Sequence, residues 1–226
     1  MKYHDDAHHT ISTDKNRRPS AASVAQATLG NASEIEAFAT SKLPADDYVC
    51  FAAKLRSGGM VHGMFKDRAE GAHWAAAKAN RGLDVYISIS TYDDHSKGRN
   101  AQNVAGTRVH ILDLDVGSGT HKFTSKRDAF VGLIAFCKKL EVPIPVVVDS
   151  GNGLHTWWEF DDPIPPDQWR QTAQWLKDAC RHDNFPADPT RTADITSLLR
   201  VPGTFNFKDR ENPKPVRILW GSGHAV

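Results

Sequence analysis

Cysteine is scarce in this sequence. Cys50, Cys137 and Cys180 are its only three, too widely spaced for a Cys-x-x-Cys metal pattern and odd in number, so neither a structural zinc nor a disulfide framework is expected. The thiols are expected to be reduced and buried. No apolar run of roughly eighteen residues occurs, so no membrane-spanning helix is expected. The polar start, from Met1 to Ser20, holds several histidines but no apolar stretch of signal-peptide type, and a cytoplasmic location follows as the expectation. No internal repeat is found, and no excess of charge of either sign: 28 Lys and Arg stand against 27 Asp and Glu. A balance this close argues neither for nor against nucleic acid, because a basic groove and an acidic metal site cancel in the sum.

What the sequence does contain is a clear alternation of elements. Residues 1–32 are rich in His, Asp, Ser, Asn and Ala and read as a tail, with at most a frayed helix from Ala21 to Leu29. Ser33 is placed to cap a helix that Pro44 ends, with Glu34 and Glu36 in the first turn where the helix dipole favours negative charge. Tyr48 to Leu55 and Val61 to Phe65 read as a hairpin around Ser57-Gly58-Gly59, Ala69 to Asn80 as a helix, and Asp84 to Ser90 as a strand. A long loop from Tyr92 to Thr107 carries Lys97 and Arg99, and loops of that length are more often functional than idle. The second half reads strand (Arg108 to Val116), helix (Ser125 to Leu140), strands (Ile144 to Asp149 and Leu154 to Phe160), helix (Pro166 to Arg181), then a strand from Val216 to Trp220. That order, βαββα followed by further β, is the split βαβ arrangement of ferredoxin-like and RNA-recognition-type sheets.

The strand from Val109 to Val116 is the first place where chemistry enters. Alternation puts Leu112, Leu114 and Val116 on one face and Asp113 and Asp115 on the other, their origins roughly 7 Å apart. Aspartate is disfavoured in strands and like charges repel, so the pair requires water or a cation. Mg²⁺ or Mn²⁺ suits oxygen donors of this kind; a half-exposed strand with an acidic outer face is the alternative.

Downstream, Ser150-Gly151-Asn152-Gly153 separates two strands. Asn152-Gly153 is expected to supply the positive backbone angles of a tight turn, and glycines there leave backbone N–H groups open to a phosphate. His155 shares parity with Trp157 and Glu159 and opens one side of the sheet just past the turn. Together with Ser150 it offers a pair of donors to phosphate; a histidine that merely satisfies its own hairpin is the alternative. No Cys or His stands at a spacing that would make it a zinc ligand.

The most informative stretch runs from Ala187 to Lys208. Asp188, Asp194 and the segment Arg200-Val201-Pro202-Gly203-Thr204-Phe205-Asn206-Phe207-Lys208, taken with Asp113-Leu114-Asp115 and Ser150-Gly151-Asn152-Gly153-Leu154-His155, resemble the three motifs of the archaeo-eukaryotic primase superfamily, in the family's order. The ending looks especially like primase-polymerases of plasmids and phages. The resemblance covers roughly Leu83 to Lys208.

It implies an α+β fold of the archaeo-eukaryotic primase kind, with an N-terminal αβ module (33–106) packed against an RRM-like module (107–226), together forming one catalytic domain. It also implies template-dependent nucleotidyl transfer in plasmid- or phage-type DNA replication. By the same resemblance Asp113, Asp115 and Asp188 are the catalytic acids and hold two Mg²⁺ or Mn²⁺ ions, while Ser150, His155, Arg200 and Lys208 contact the incoming nucleotide's triphosphate. Asp194 is read either as an anchor of the turn into Leu198-Leu199 or as a further metal ligand. Arg200 has a salt bridge to one of these aspartates as its structural alternative. The implied partners are single-stranded DNA template and primer, dNTPs or rNTPs, and a replicative helicase as a candidate. The cysteine-built zinc stem of many members has no counterpart here. Because the chain stops soon after the third motif, an excised domain and the product of a short gene with separate partners are both expected readings. Two other functions compete: a non-catalytic module that binds single strands through Trp157 and Trp158, and a rolling-circle initiator, whose His-hydrophobic-His triplet and nucleophilic tyrosine have no match in context. A metal-dependent phosphohydrolase is a weaker third.

Overall fold

The computed structural model describes residues 29–119 and 122–221. The tail helix expected from Ala21 onward lies outside the described residues apart from Leu29. Helix α1 (Ala32–Lys42) starts two residues earlier than a Ser33 cap would allow, because the Asn31 side chain accepts from the Glu34 N–H instead. Strands β1 (Tyr48–Lys54) and β2 (Met60–Phe65) form the expected hairpin, and α2 (Arg68–Asn80) follows, capped by Asp67. After β3 (Val85–Tyr92), two single 3₁₀ turns occupy the long loop, tied by Asn103, whose Nδ2 donates to the carbonyls of Asp94 and Gly98. Strand β4 (Val104–Asp115) then leads to α3 (Lys126–Lys139), β5 (Val146–Asp149), β6 (Gly153–Ile164) and α4 (Pro166–His182). The short helix α5 (Pro189–Thr192) and the strands β7 (Leu198–Arg200), β8 (Thr204–Asn206) and β9 (Lys214–Trp220) complete the fold.

Among the described residues the strands form one antiparallel sheet in the order β2-β1-β3-β4-β6-β5-β9-β8, with β7 added to β3 off that path. Strands β4 and β5 flank β6, the split βαβ arrangement. Helices pack on the sheet to bury two apolar clusters. One unites α1, α2, β1 and β3 with Val109, Ile111, Val148, Trp157 and Trp169. The other joins α3 and α4 to Leu112, Leu114, Val147, Leu154 and Trp158. Alternate residues of β4 and β6 therefore serve different cores, as period-two patterning requires.

A fork in this sheet creates the site. Strand β3 pairs with β4 only at Ser90, Thr91 and Tyr92, and its earlier residues pair with β7 at Tyr86↔Arg200, Ile87↔Leu199 and Ser88↔Leu198. Beyond Thr107, β4 turns away from β3 and follows β6 down to Asp115↔Gly153. The strand edge so exposed is filled by the segment carrying α5, whose Asp188 N–H donates to the Asp113 carbonyl at 2.9 Å.

Candidate active site

The β4–β6 register sets Asp113 directly opposite His155, and the His155 Nε2 lies 3.7 Å from Asp113 Oδ1. Asp115, one pleat further along the same face, is exposed at the strand's end, with Lys122 Nζ 3.6 Å away. Asp188 reaches them through its backbone bond to Asp113, and its side chain caps α5: Oδ1 accepts from Thr190 N at 2.8 Å and Arg191 N at 3.4 Å. The fork thus joins Asp188, by a backbone bond, to the strand that carries Asp113 and Asp115. Burial, followed by the charges of Asp115 and Asp188, lifts the Asp113 carboxyl to about 7, against the opposing pull of Arg191 and Arg200. An aspartate so placed is short of positive charge, and oxygen donors of this type suit a hard divalent cation. Among the described residues, no three His, Cys, Asp or Glu side chains are gathered closely enough to complete a metal shell as they stand.

His155 is buried, and its Nδ1 has no hydrogen-bond partner among the described residues. Burial, reinforced by Arg200 and Arg191, lowers its pKa to about 3, so the imidazole is neutral at physiological pH. Arg200 arrives on β7, stacks 5.0 Å over the Tyr86 ring and bonds Asp84 Oδ1 through Nη2 at 3.2 Å. The salt bridge considered for Arg200 therefore goes to Asp84 rather than to one of the motif aspartates. Asp194 accepts from both the N–H and the hydroxyl of Thr196, at 2.9 and 2.7 Å, and its carbonyl accepts from Ser197 N. These bonds anchor the turn into β7.

The Ser150-Gly153 turn differs in detail from its expected form. The positive backbone angle falls on Gly151, at φ +90°, rather than on Asn152 or Gly153. Gly151 N–H is also committed, donating to Asp149 Oδ1 at 2.8 Å, and Ser150 N–H donates to the Gly153 carbonyl. Those two amides are consequently closed to a phosphate. Gly153 is required for a different reason, since a Cβ there would sit 2.5 Å from the Leu114 carbonyl oxygen. Ser150 is buried, Lys208 is exposed, and the two are joined through Asn206.

The fork thus brings together Asp113, Asp115, Asp188, His155 and Arg200, while Ser150 and Lys208 form a second group around Asn206. Sequence reasoning missed Tyr86, Asp84, Arg191 and Asn206. Arg191 carried a readable signal: three residues past a capping aspartate it turns back toward that carboxylate, and its Nε lies 4.0 Å from Asp188 Oδ2. Tyr86 and Asp84 carried none, because their link to Arg200 exists only once β7 joins β3.

Similarity to known proteins bears on the fold that holds this fork. No family model matches the sequence. A curated replication protein of Clostridium perfringens is 28% identical over an alignment of 131 residues that covers 56% of this chain and 30% of that protein. The chain thus spans under a third of the length of the relative it matches. Among solved structures, the primase-polymerase domain of cyanophage S-2L superposes with a TM-score of 0.63 at 12% identity, over 88% of this chain and 94% of that one. Primase RepB' gives 0.54 at 15% identity, over 86% and 58% of the two chains. The catalytic domain of RepB' in complex with initiator DNA gives 0.52 at 16%, over 83% and 82%. The chain has the α+β fold of archaeo-eukaryotic primase and primase-polymerase catalytic domains.

Proposed function

We propose that the chain is the catalytic domain of a DNA primase-polymerase, transferring nucleotides to a 3′-hydroxyl under the direction of a single-stranded template. The observation that carries this reading is the backbone hydrogen bond from Asp188 to Asp113 across the fork, which joins an α5 cap to the Asp113/Asp115 face. Shared fold with primase-polymerase domains and the partial match to a replication protein support it independently. Asp113, Asp115 and Asp188 would hold two Mg²⁺ or Mn²⁺ ions, which when bound activate the attacking hydroxyl and offset charge on the reacting phosphate.

The remaining work falls to the chain's own residues. His155, being neutral, offers the substrate a hydrogen bond rather than a charge. Positive charge comes from Arg200, Arg191 and Lys208, and Arg200 is held by its ion pair with Asp84 and by stacking over Tyr86. Ser150, in the turn before β6, is the hydroxyl donor of this reading. Single-stranded template, primer and nucleoside triphosphates are the partners of this reading, and a replicative helicase is a candidate fourth.

Asp113→Ala and Asp115→Ala should each abolish primer extension on a single-stranded template with Mn²⁺ or Mg²⁺, while circular dichroism shows the fold retained. Neither side chain belongs to an apolar cluster, so loss of activity without loss of structure is the expected result. Extension at wild-type rate by either folded variant would remove the basis of the proposal.

A further inference from the structure

Asn206 stands where two parts of the site meet. It is 2% exposed, at the end of β8, yet its side chain reaches away from its own strand in two directions. Its Nδ2 donates to the Ser150 carbonyl at 2.7 Å, across 56 residues of sequence. Its Oδ1 accepts from the Lys208 N–H at 3.0 Å, closing an Asx turn. A carboxamide supplies its donor and its acceptor on two separate atoms of one short, planar group. The fit is close: a Cβ on Gly151 would lie 2.7 Å from the Asn206 Cβ, so the positive-φ glycine of the turn lies directly against this residue.

The turn is held from its other side as well. Asp149 Oδ1 accepts from Gly151 N at 2.8 Å and from Lys126 Nζ of α3 at 2.5 Å. At the tip, Lys214 Nζ donates to Asn152 Oδ1 at 2.7 Å. Ser150 and Gly151 are thus clamped between α3 and β8, and the clamp on the β8 side consists of the Asn206 amide.

We infer that Asn206 is a positioning residue for the nucleotide's triphosphate: one buried amide fixes the Ser150 turn and the Lys208 segment relative to each other. Ser150 and Lys208 are the two proposed phosphate contacts that lie outside the fork, and the Asn206 amide is a direct hydrogen-bonded link between them. Loss of the amide leaves both contacts in the protein but frees their spacing. Affinity for the triphosphate then falls, whereas template binding, which the amide does not touch, is preserved. This inference rests on the primase-polymerase reading above.

The test compares wild type with Asn206→Ala, which removes both bonds, and Asn206→Ser, whose hydroxyl can still cap Lys208 N–H but cannot span to Ser150. Titration calorimetry with a non-hydrolysable dNTP analogue and Mg²⁺ gives nucleotide affinity, and fluorescence anisotropy with a labelled single strand gives template affinity. Asn206→Ala should weaken nucleotide binding about tenfold, within the range of net hydrogen-bond contributions. Asn206→Ser should fall between Ala and wild type, template affinity should stay constant for both, and nucleoside monophosphate affinity should change little. Unchanged nucleotide affinity overturns the inference. Parallel loss of nucleotide affinity, template affinity and melting temperature in both variants also overturns it, since that marks a structural role alone. A wild-type chain that binds no triphosphate removes the primase-polymerase reading itself, an outcome distinct from either.

Discussion

Asp113 is the residue at which charge and burial compete most directly. Its side chain is 23% exposed and its carboxyl is lifted from 3.8 to about 7, first by burial and then by Asp115 and Asp188. A folded-state pKa above the unfolded value means that the native state holds the proton more tightly. The stability this contributes is complete below about pH 4 and is lost as pH rises through about 7. Asp113→Asn removes the titration. In metal-free buffer the variant should melt above wild type near pH 8, and the difference should shrink as pH falls toward 4. Adding Mn²⁺ near pH 8 should raise the wild-type melting temperature, and near pH 5 raise it much less, because the protonated acid is a poor ligand. Scanning fluorimetry over a pH series with and without Mn²⁺ checks both slopes; identical pH profiles for the two proteins would show that Asp113 does not titrate in this range.

At the scale of elements, the site depends on where β7 joins the sheet. Asp84, just before β3, receives three hydrogen bonds on one oxygen: from Arg200 Nε at 3.4 Å, Arg200 Nη2 at 3.2 Å and Phe207 N at 2.9 Å. It therefore fixes β7 and the segment after β8 to the first half of the chain. Asp84→Ala leaves a largely buried guanidinium and an amide unpaired and should cost about 2 kcal/mol by urea denaturation, on the scale of hydrogen bonds to charged groups. Asp84→Asn keeps an acceptor for Phe207 and should cost less. What was legible in the sequence follows the same division. The faces of β4 and β6, and so the placement of Asp113, Asp115 and His155, could be read because strand alternation is local. Strands β7 and β8 could not, as three residues each carry no period, and the pairing of β7 with β3 joins residues more than a hundred positions apart, as does the Arg200–Asp84 bond. The turn at Ser150 was legible as a turn but not in its bonding. The positive-φ Gly151 packs against Asn206, which lies 56 residues further along the chain from Ser150 and bonds its carbonyl.

Across the whole molecule, the two modules expected from the sequence share their interior. The larger apolar cluster draws Ile35, Phe38, Ala72 and Ile87 from the first half and Ile111, Trp157, Trp169 and Val216 from the second. Phe38 meets Trp157 edge-on at 5.1 Å, and the buried Lys42 pairs with Glu159 across the same boundary. Asn31 N–H donates to the Gly203 carbonyl at 2.8 Å, and the sheet itself passes from β3 into β4. Separating the halves would uncover these surfaces together, so neither should be stable while the other unfolds. Far-UV circular dichroism and tryptophan fluorescence should therefore trace a single coincident transition in urea, although Trp74 is the one tryptophan before residue 107 and the other five follow it. Lys42→Met leaves Glu159 without its cation and should shift that transition to lower urea as a unit, with both probes still superimposed. Two separated transitions, or a shift confined to one probe, would mean that the modules fold independently and that the fork is assembled only by docking.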